Sequence, residues 1–220
     1  MIDLIQPFWK PVAWTSFDVV KKVRSVTRVR KVGHAGTLDP FAEGVLVLCL
    51  GKATKRISRL MDLDKEYLAK VKLGVATDTL DPAGIVTDTA PVPALSRGDI
   101  VETLDRFVGT IEQVPPMFSA LKVNGTRLYQ LARAGKTVPR DSRKVRVYGI
   151  ELVAWRPPDE LELQVTCGKG TYVRTLAADL AQALNTIGHL TALTRTRVGP
   201  YGQAAAIRMD QLASWIPITT

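Results

Sequence analysis

A chain of 220 residues that is 46% hydrophobic is long enough for one large domain or two small ones and can build a sizeable core. Its 30 Lys and Arg against 21 Asp and Glu give a net charge of +9, unevenly placed: +7 over residues 1–59, −5 over 60–114 and +7 over 115–220. Two basic regions around an acidic middle suit a polyanionic partner. They equally suit a basic surface that is merely solvated. No apolar run approaches the roughly 20 residues of a membrane helix. The first residues lack the basic and apolar regions of a signal peptide. Cys49 and Cys167 have no metal-ligand spacing and read as small buried hydrophobes of a reducing compartment, so the cytoplasm is expected.

Taken in chain order, Thr15 or Ser16 can cap a helix, with Asp18 near its positive end. Phe17, Val20, Val23, Val26 and Val29 recur every third residue and mark its expected buried face, with Lys21, Lys22, Arg24, Arg28, Arg30 and Lys31 around the rest. A glycine-rich stretch, Gly33 to Gly44, follows. It carries the single carboxylate Asp39 before Pro40 and cannot continue a helix. Val45 to Leu50 is an unbroken apolar run of strand length. Tyr67 to Leu73 alternates as a strand does, and Ser96 can cap a helix carrying Ile100, Leu104, Phe107 and Val108 up to Gly109. Asn124-Gly125 is a turn signal before a short helix closing at Gly135. Val145 to Leu152 and, most cleanly, Leu161 to Cys167 read as strands. Thr171 to Asn185 reads as a helix with Leu176, Leu180 and Leu184 at four-residue spacing, and Leu190 to Val198 as a returning strand. Strands outnumber helices and several are hairpin-linked. The expected class is α+β, a mixed, largely antiparallel sheet with flanking helices, in a single domain over 1–220.

A carboxylate on a loop that feeds a buried strand is a common way to hold a reactive group on a rigid support. The same residues read equally as an ordinary Asp-Pro turn. The stretch Gly33-His34-Ala35-Gly36-Thr37-Leu38-Asp39-Pro40-Phe41-Ala42-Glu43-Gly44 resembles the catalytic signature of the TruB-type tRNA pseudouridine synthases. Four further blocks resemble that family in its order: Lys10-Pro11 with Thr15-Ser16, Asp64 to Tyr67, Gln113 to Lys122 (typical of the bacterial branch), and Gly168 to Arg174. One departure is Ala13, where the family usually has Gly.

The resemblance implies isomerisation of a uridine in the tRNA T-loop, at position 55, to pseudouridine. It makes Asp39 the nucleophile, Tyr67 the residue that stacks on the base and assists proton removal, and Arg174 the partner that keeps Asp39 ionised and oriented. Among substrate-binding residues it implies His34, which would fill the stack vacated by the flipped base, Tyr172 and Leu193 lining the pocket, and Lys10 supporting the signature loop. For each, a plain structural role is the alternative: core packing for Leu193, a strand aromatic for Tyr67, a loop histidine for His34. His189 reads as structural. The reaction is redox-neutral. The sequence has no P-loop, dinucleotide fingerprint or metal cluster, so no cofactor and no metal are expected. The expected partner is the T-arm of tRNA, without guide RNA and without a membrane, met by a monomer. No C-terminal domain of the PUA type is evident after Trp215. Two other readings stay open: a non-catalytic tRNA-binding or folding protein on the same scaffold, and a guide-dependent relative.

Overall fold

The computed structural model describes residues 2–123 and 125–215. In chain order the elements are β1 (Asp3–Lys10), α1 (Ser16–Thr27), β2 (Val32–His34), β3 (Glu43–Gly51), α2 (Ile57–Met61), β4 (Lys65–Leu73), β5 (Val75–Thr77) and β6 (Val86–Thr89). There follow α3 (Arg97–Asp105), β7 (Gly109–Gln113), β8 (Lys122–Val123), β9 (Thr126–Arg127), α4 (Leu128–Arg133) and β10 (Arg143–Arg156). The last are β11 (Glu160–Cys167), α5 (Val173–Ala183), β12 (Gly188–Val198) and β13 (Tyr201–Gly202). The architecture is α+β, with mostly antiparallel pairing, as the excess of strand patterns and their hairpin links predicts. The chain divides into two compact units. The first holds the residues up to Leu68, Thr166–Lys169 and those from Leu193 on; the second holds Ala69–Val165 and Gly170–Ala192.

In the first unit β3 is the central strand. It runs antiparallel to β1, from Asp3↔Gly51 to Lys10↔Gly44, and antiparallel to the short β2, from Val32↔Leu50 to His34↔Leu48. At its start it pairs in parallel with β12, Arg195 opposite Gly44. Val45 to Leu50 is an unbroken apolar run because both faces of β3 are covered. Leu46, Leu48 and Leu50 pack with Phe8, Val19, Val20 and Val23. Val45, Val47 and Cys49 pack on the opposite face with Trp9, Ala35, Ala53 and Val198.

Thr15 caps α1 through a capping box with Asp18. The buried face of α1 is Ser16, Val19, Val20 and Val23, not the every-third series. A helix turns in 3.6 residues, so a strict period of three drifts off the face. Phe17 is 53% exposed, with the Lys21 ammonium and the Arg24 guanidinium over its ring. His34 closes β2 rather than lying in the loop, and β1 carries no clean alternation that would announce it.

In the second unit the sheet order is β4–β11–β10–β7, with β10 antiparallel to β7. The burial of β11 alternates residue by residue, as its sequence does. Ser96 caps α3 with Asp99, and Ile100 and Leu104 are buried, while Phe107 and Val108 lie past the helix in the turn to Gly109. The turn at Asn124 lies outside the described residues; β8 and β9 pair on either side of it. His189 Nδ1 meets the Val75 carbonyl at 2.8 Å in the core, the structural role read from its context.

Candidate active site

Loop 36–40 of the first unit is held through its backbone. A loop carbonyl away from water needs a donor, and here each has one. The Arg195 guanidinium donates to Gly36 O at 3.2 Å and Thr37 O at 3.3 Å. The Ser16 hydroxyl donates to Leu38 O at 3.1 Å and accepts from Leu38 N at 2.9 Å. Ala42 N donates to Asp39 O at 3.1 Å. Pro40 O receives Ala13 N at 2.8 Å and the Lys10 ammonium at 3.3 Å. The three side-chain donors are each placed by a regular element: Ser16 by α1, Arg195 by β12, Lys10 by the last position of β1. Gly44 is required at the parallel crossing, since its φ is +118° and a Cβ there would sit 2.3 Å from the Arg195 carbonyl.

Lys10 is fully buried, and its ammonium also donates to Trp14 O at 2.6 Å and Pro11 O at 2.8 Å. Burial lowers its pKa to about 8, against the raising influence of the Asp39 carboxylate. Tyr67, on β4, is 8% exposed. Burial pushes its phenol above the ordinary value, the Arg195 charge opposes this, and the Asp39 charge adds to the rise. Burial, then the Arg195 charge, lower the pKa of His34, so its imidazole is neutral near pH 7. Leu193 is buried two residues before Arg195 on the same face of β12. Lys10, His34, Asp39, Tyr67 and Leu193 are thus gathered in one unit, with Arg195 their common neighbour in space or along the strand.

Tyr172 and Arg174 belong to the second unit. Tyr172 precedes α5 as its N-cap, and Arg174 lies in the first turn, only 3% exposed. A cation at a helix N-terminus opposes the helix dipole and wants anionic or carbonyl partners. Arg174 Nη1 donates to Thr79 O at 2.8 Å and faces Asp81 Oδ2 at 3.3 Å, and Nη2 donates to Phe118 O at 2.7 Å.

Two residues of this machinery escaped the sequence reading. Arg195 was legible as a cation on the apolar side of an alternating strand, in phase with Leu193. Asp81 was legible as the second of two Thr-Leu-Asp-Pro tetrapeptides, at 37–40 and 79–82.

The model described as "TruB family pseudouridylate synthase (N terminal domain)" matches residues 24–173, and that described as "tRNA pseudouridylate synthase B C-terminal domain" matches 174–218. The tRNA pseudouridine synthase B of Clostridium perfringens (strain SM101 / Type A) is 47% identical over 204 residues, covering 93% of this chain and 69% of that protein. The protein of the same name from Phocaeicola vulgatus is 44% identical over 216 residues, covering 95% and 91%. Among solved structures, a Cbf5-Nop10-Gar1 complex superposes with a TM-score of 0.75 at 28% identity, over 96% of this chain and 54% of that one. An H/ACA RNP bound to a substrate RNA containing 2′-deoxyuridine gives 0.71 at 25% identity, over 96% and 52%. The chain belongs to the TruB family of pseudouridylate synthases.

Proposed function

We propose that this chain converts a uridine in the T-loop of tRNA to pseudouridine without a guide RNA, with Asp39 as nucleophile. The observation that carries the reading is the fully tied loop 36–40, which holds Asp39 where its charge acts on the Lys10 ammonium and the Tyr67 phenol. In the reaction the N1–C1′ bond breaks, C1′ joins C5, and the proton lost from C5 is balanced by one gained at N1. Asp39 supports the detached sugar. Tyr67 stacks on the base and assists removal of the C5 proton. Arg174 supplies the charge that keeps the carboxylate ionised, and Tyr172 and Leu193 line the base pocket. A stacked uridine must be extruded first. A neutral His34 is an aromatic plate suited to the vacated stack.

A tRNA partner also fits the charge. Arg28, Arg30, Lys31, Lys52 and Lys55 line one cleft of about 620 Å³ at the end of α1 and β3, in the unit that carries Asp39. Five cations on one surface are the footprint of phosphate contact.

Incubation of the purified chain with an unmodified tRNA transcript, and with a transcript whose T-loop uridine is replaced by cytidine, tests the reading. Pseudouridine in the first and none in the second is expected. Tight binding with no product supports the non-catalytic alternative, and product only after a guide RNA is added supports the guide-dependent one.

A further inference from the structure

The segment Gln113 to Lys122 matches the family without an assigned task, and its first residue makes an unusual contact. Gln113 ends β7 and is 2% exposed. Its side-chain Oε1 accepts from Tyr172 N at 3.0 Å, and its Nε2 donates to Tyr172 O at 3.2 Å. One amide therefore spans both backbone polar groups of a single residue, as a neighbouring strand would. Tyr172 is the N-cap of α5, has φ −99° and ψ 106°, and makes no side-chain cap bond. A tyrosine cannot cap its own helix in the way Ser, Thr, Asp or Asn does. The Tyr172 carbonyl also accepts Leu176 N at 3.0 Å, the first bond of the helix. Five residues after Gln113, the Phe118 carbonyl takes Arg174 Nη2.

We propose that Gln113 is a positioning residue of the isomerisation: its amide replaces the missing cap of α5, fixes the backbone of Tyr172, and so sets where Arg174 leaves the helix. The inference rests on the reaction proposed above. Glutamine is required over glutamate because the group facing the Tyr172 carbonyl must donate. It is required over leucine because the part-buried Tyr172 N–H would otherwise lose its partner and the Tyr172 carbonyl would keep only Leu176 N.

Gln113→Glu provides a test with a signature of its own. As the neutral acid, glutamate is an isostere: its carbonyl accepts from Tyr172 N and its hydroxyl donates to Tyr172 O. As the carboxylate it sets an anion against a carbonyl. Burial raises the pKa of such a carboxyl. The variant's kcat on tRNA should be down by roughly tenfold at pH 8.5 and recover as pH falls, to within about threefold of the parent once the side chain is protonated. The parent should show no such gain on acidification. Gln113→Leu, similar in volume and not titratable, should lose rate at every pH, in kcat more than in KM. Its Tyr172 amide should exchange with deuterium faster, while amides of β3 keep their protection. The exchange measurement needs no RNA, so it stands even if the chain proves inactive on tRNA. The proposal is overturned if Gln113→Leu leaves Tyr172 exchange unchanged. It is also overturned if both variants stay within twofold of the parent throughout, or if their rates merely follow the folded fraction measured by circular dichroism at each pH.

Discussion

Thr-Leu-Asp-Pro occurs at residues 37–40 in the first unit and at 79–82 in the second, and in both a buried arginine donates to the threonine carbonyl: Arg195 to Thr37, Arg174 to Thr79. The carboxylates are used differently. Asp81 is 5% exposed; its Oδ1 accepts from the Thr79 hydroxyl at 2.7 Å and Ala83 N at 3.0 Å, and its Oδ2 faces Arg174. Leu80 takes φ +60° to close that turn. The shape of the second loop thus depends on its own carboxylate. The first loop is shaped by groups from α1, β1 and β12 acting on its carbonyls. A loop held by its backbone can offer a side chain to chemistry without losing its form; a loop held by that side chain cannot.

The paired substitutions Asp39→Asn and Asp81→Asn break the comparison most sharply. Asp39→Asn should give no detectable pseudouridine, because an amide is a poor nucleophile. It should retain tRNA affinity within about tenfold, since phosphate contacts dominate binding. Its thermal midpoint should stay within about 2 °C of the parent. Asp81→Asn should keep some turnover, reduced on the order of ten- to a hundredfold, and lose about 3 kcal/mol of stability through the broken buried pair. Equal residual turnover in the two variants would put the nucleophile elsewhere.

The arginines come next. Arg195→Met strips donors from Gly36, Thr37 and Val45, the last bonded at 2.7 Å. At about 1–3 kcal/mol for each stranded acceptor, a loss of at least 3 kcal/mol is expected, roughly 6–12 °C in thermal midpoint. Arg174→Met should cost about 3 kcal/mol or more, since it leaves the buried Asp81 carboxylate without its cation and the Thr79 and Phe118 carbonyls without their donor. On the role proposed for Arg174, losing the cation should also raise the Asp39 pKa, so the rate should fall about tenfold or more near neutral pH and partly recover as pH increases. A rate unchanged across pH would remove Arg174 from this role.

How much of this was legible differs between the two loops for a physical reason. Asp39 stands in a glycine-rich turn before a buried strand, which is a local pattern, and the burial of β3, β11 and α5 follows from local periodicity. The clamps are not local. Arg195 lies 158 residues from Thr37, and Gln113 lies 59 from Tyr172. No window of sequence contains both ends of such a bond, and only the folded chain does. The exposure of Phe17 was hidden by a period of three that a helix does not keep.

Lys10→Met sharpens the account of the backbone clamp. It removes a donor from Pro11, Trp14 and Pro40, though Pro40 keeps Ala13 N. About 2 kcal/mol should be lost at pH 7. The pH dependence has a definite sign. The folded-state pKa, about 8, lies below the ordinary lysine value of 10.5, so between these values the unfolded chain binds more protons and stability rises with pH. The parent should therefore gain on the variant over that window in denaturant titrations. A gap that is constant with pH would show that Lys10 titrates alike in both states.

The smallest expected effect lies at the other donor to Pro40. Ala13 takes φ +68°, the left-handed region that favours glycine. Its methyl group is exposed, so Ala13→Gly removes no packing. Relief of a left-handed alanine favours the folded state by about 1–2 kcal/mol. The greater freedom of glycine in the unfolded chain returns about 0.4–1 kcal/mol of that. A net gain of roughly 0.5 kcal/mol, or about 1–2 °C in thermal midpoint, should remain. The Ala13 N–H bond to Pro40 is a backbone contact and survives the change, so kcat should be unaltered. A fall in the midpoint would mean that the first loop depends on a stiff residue at position 13 to hold Pro40.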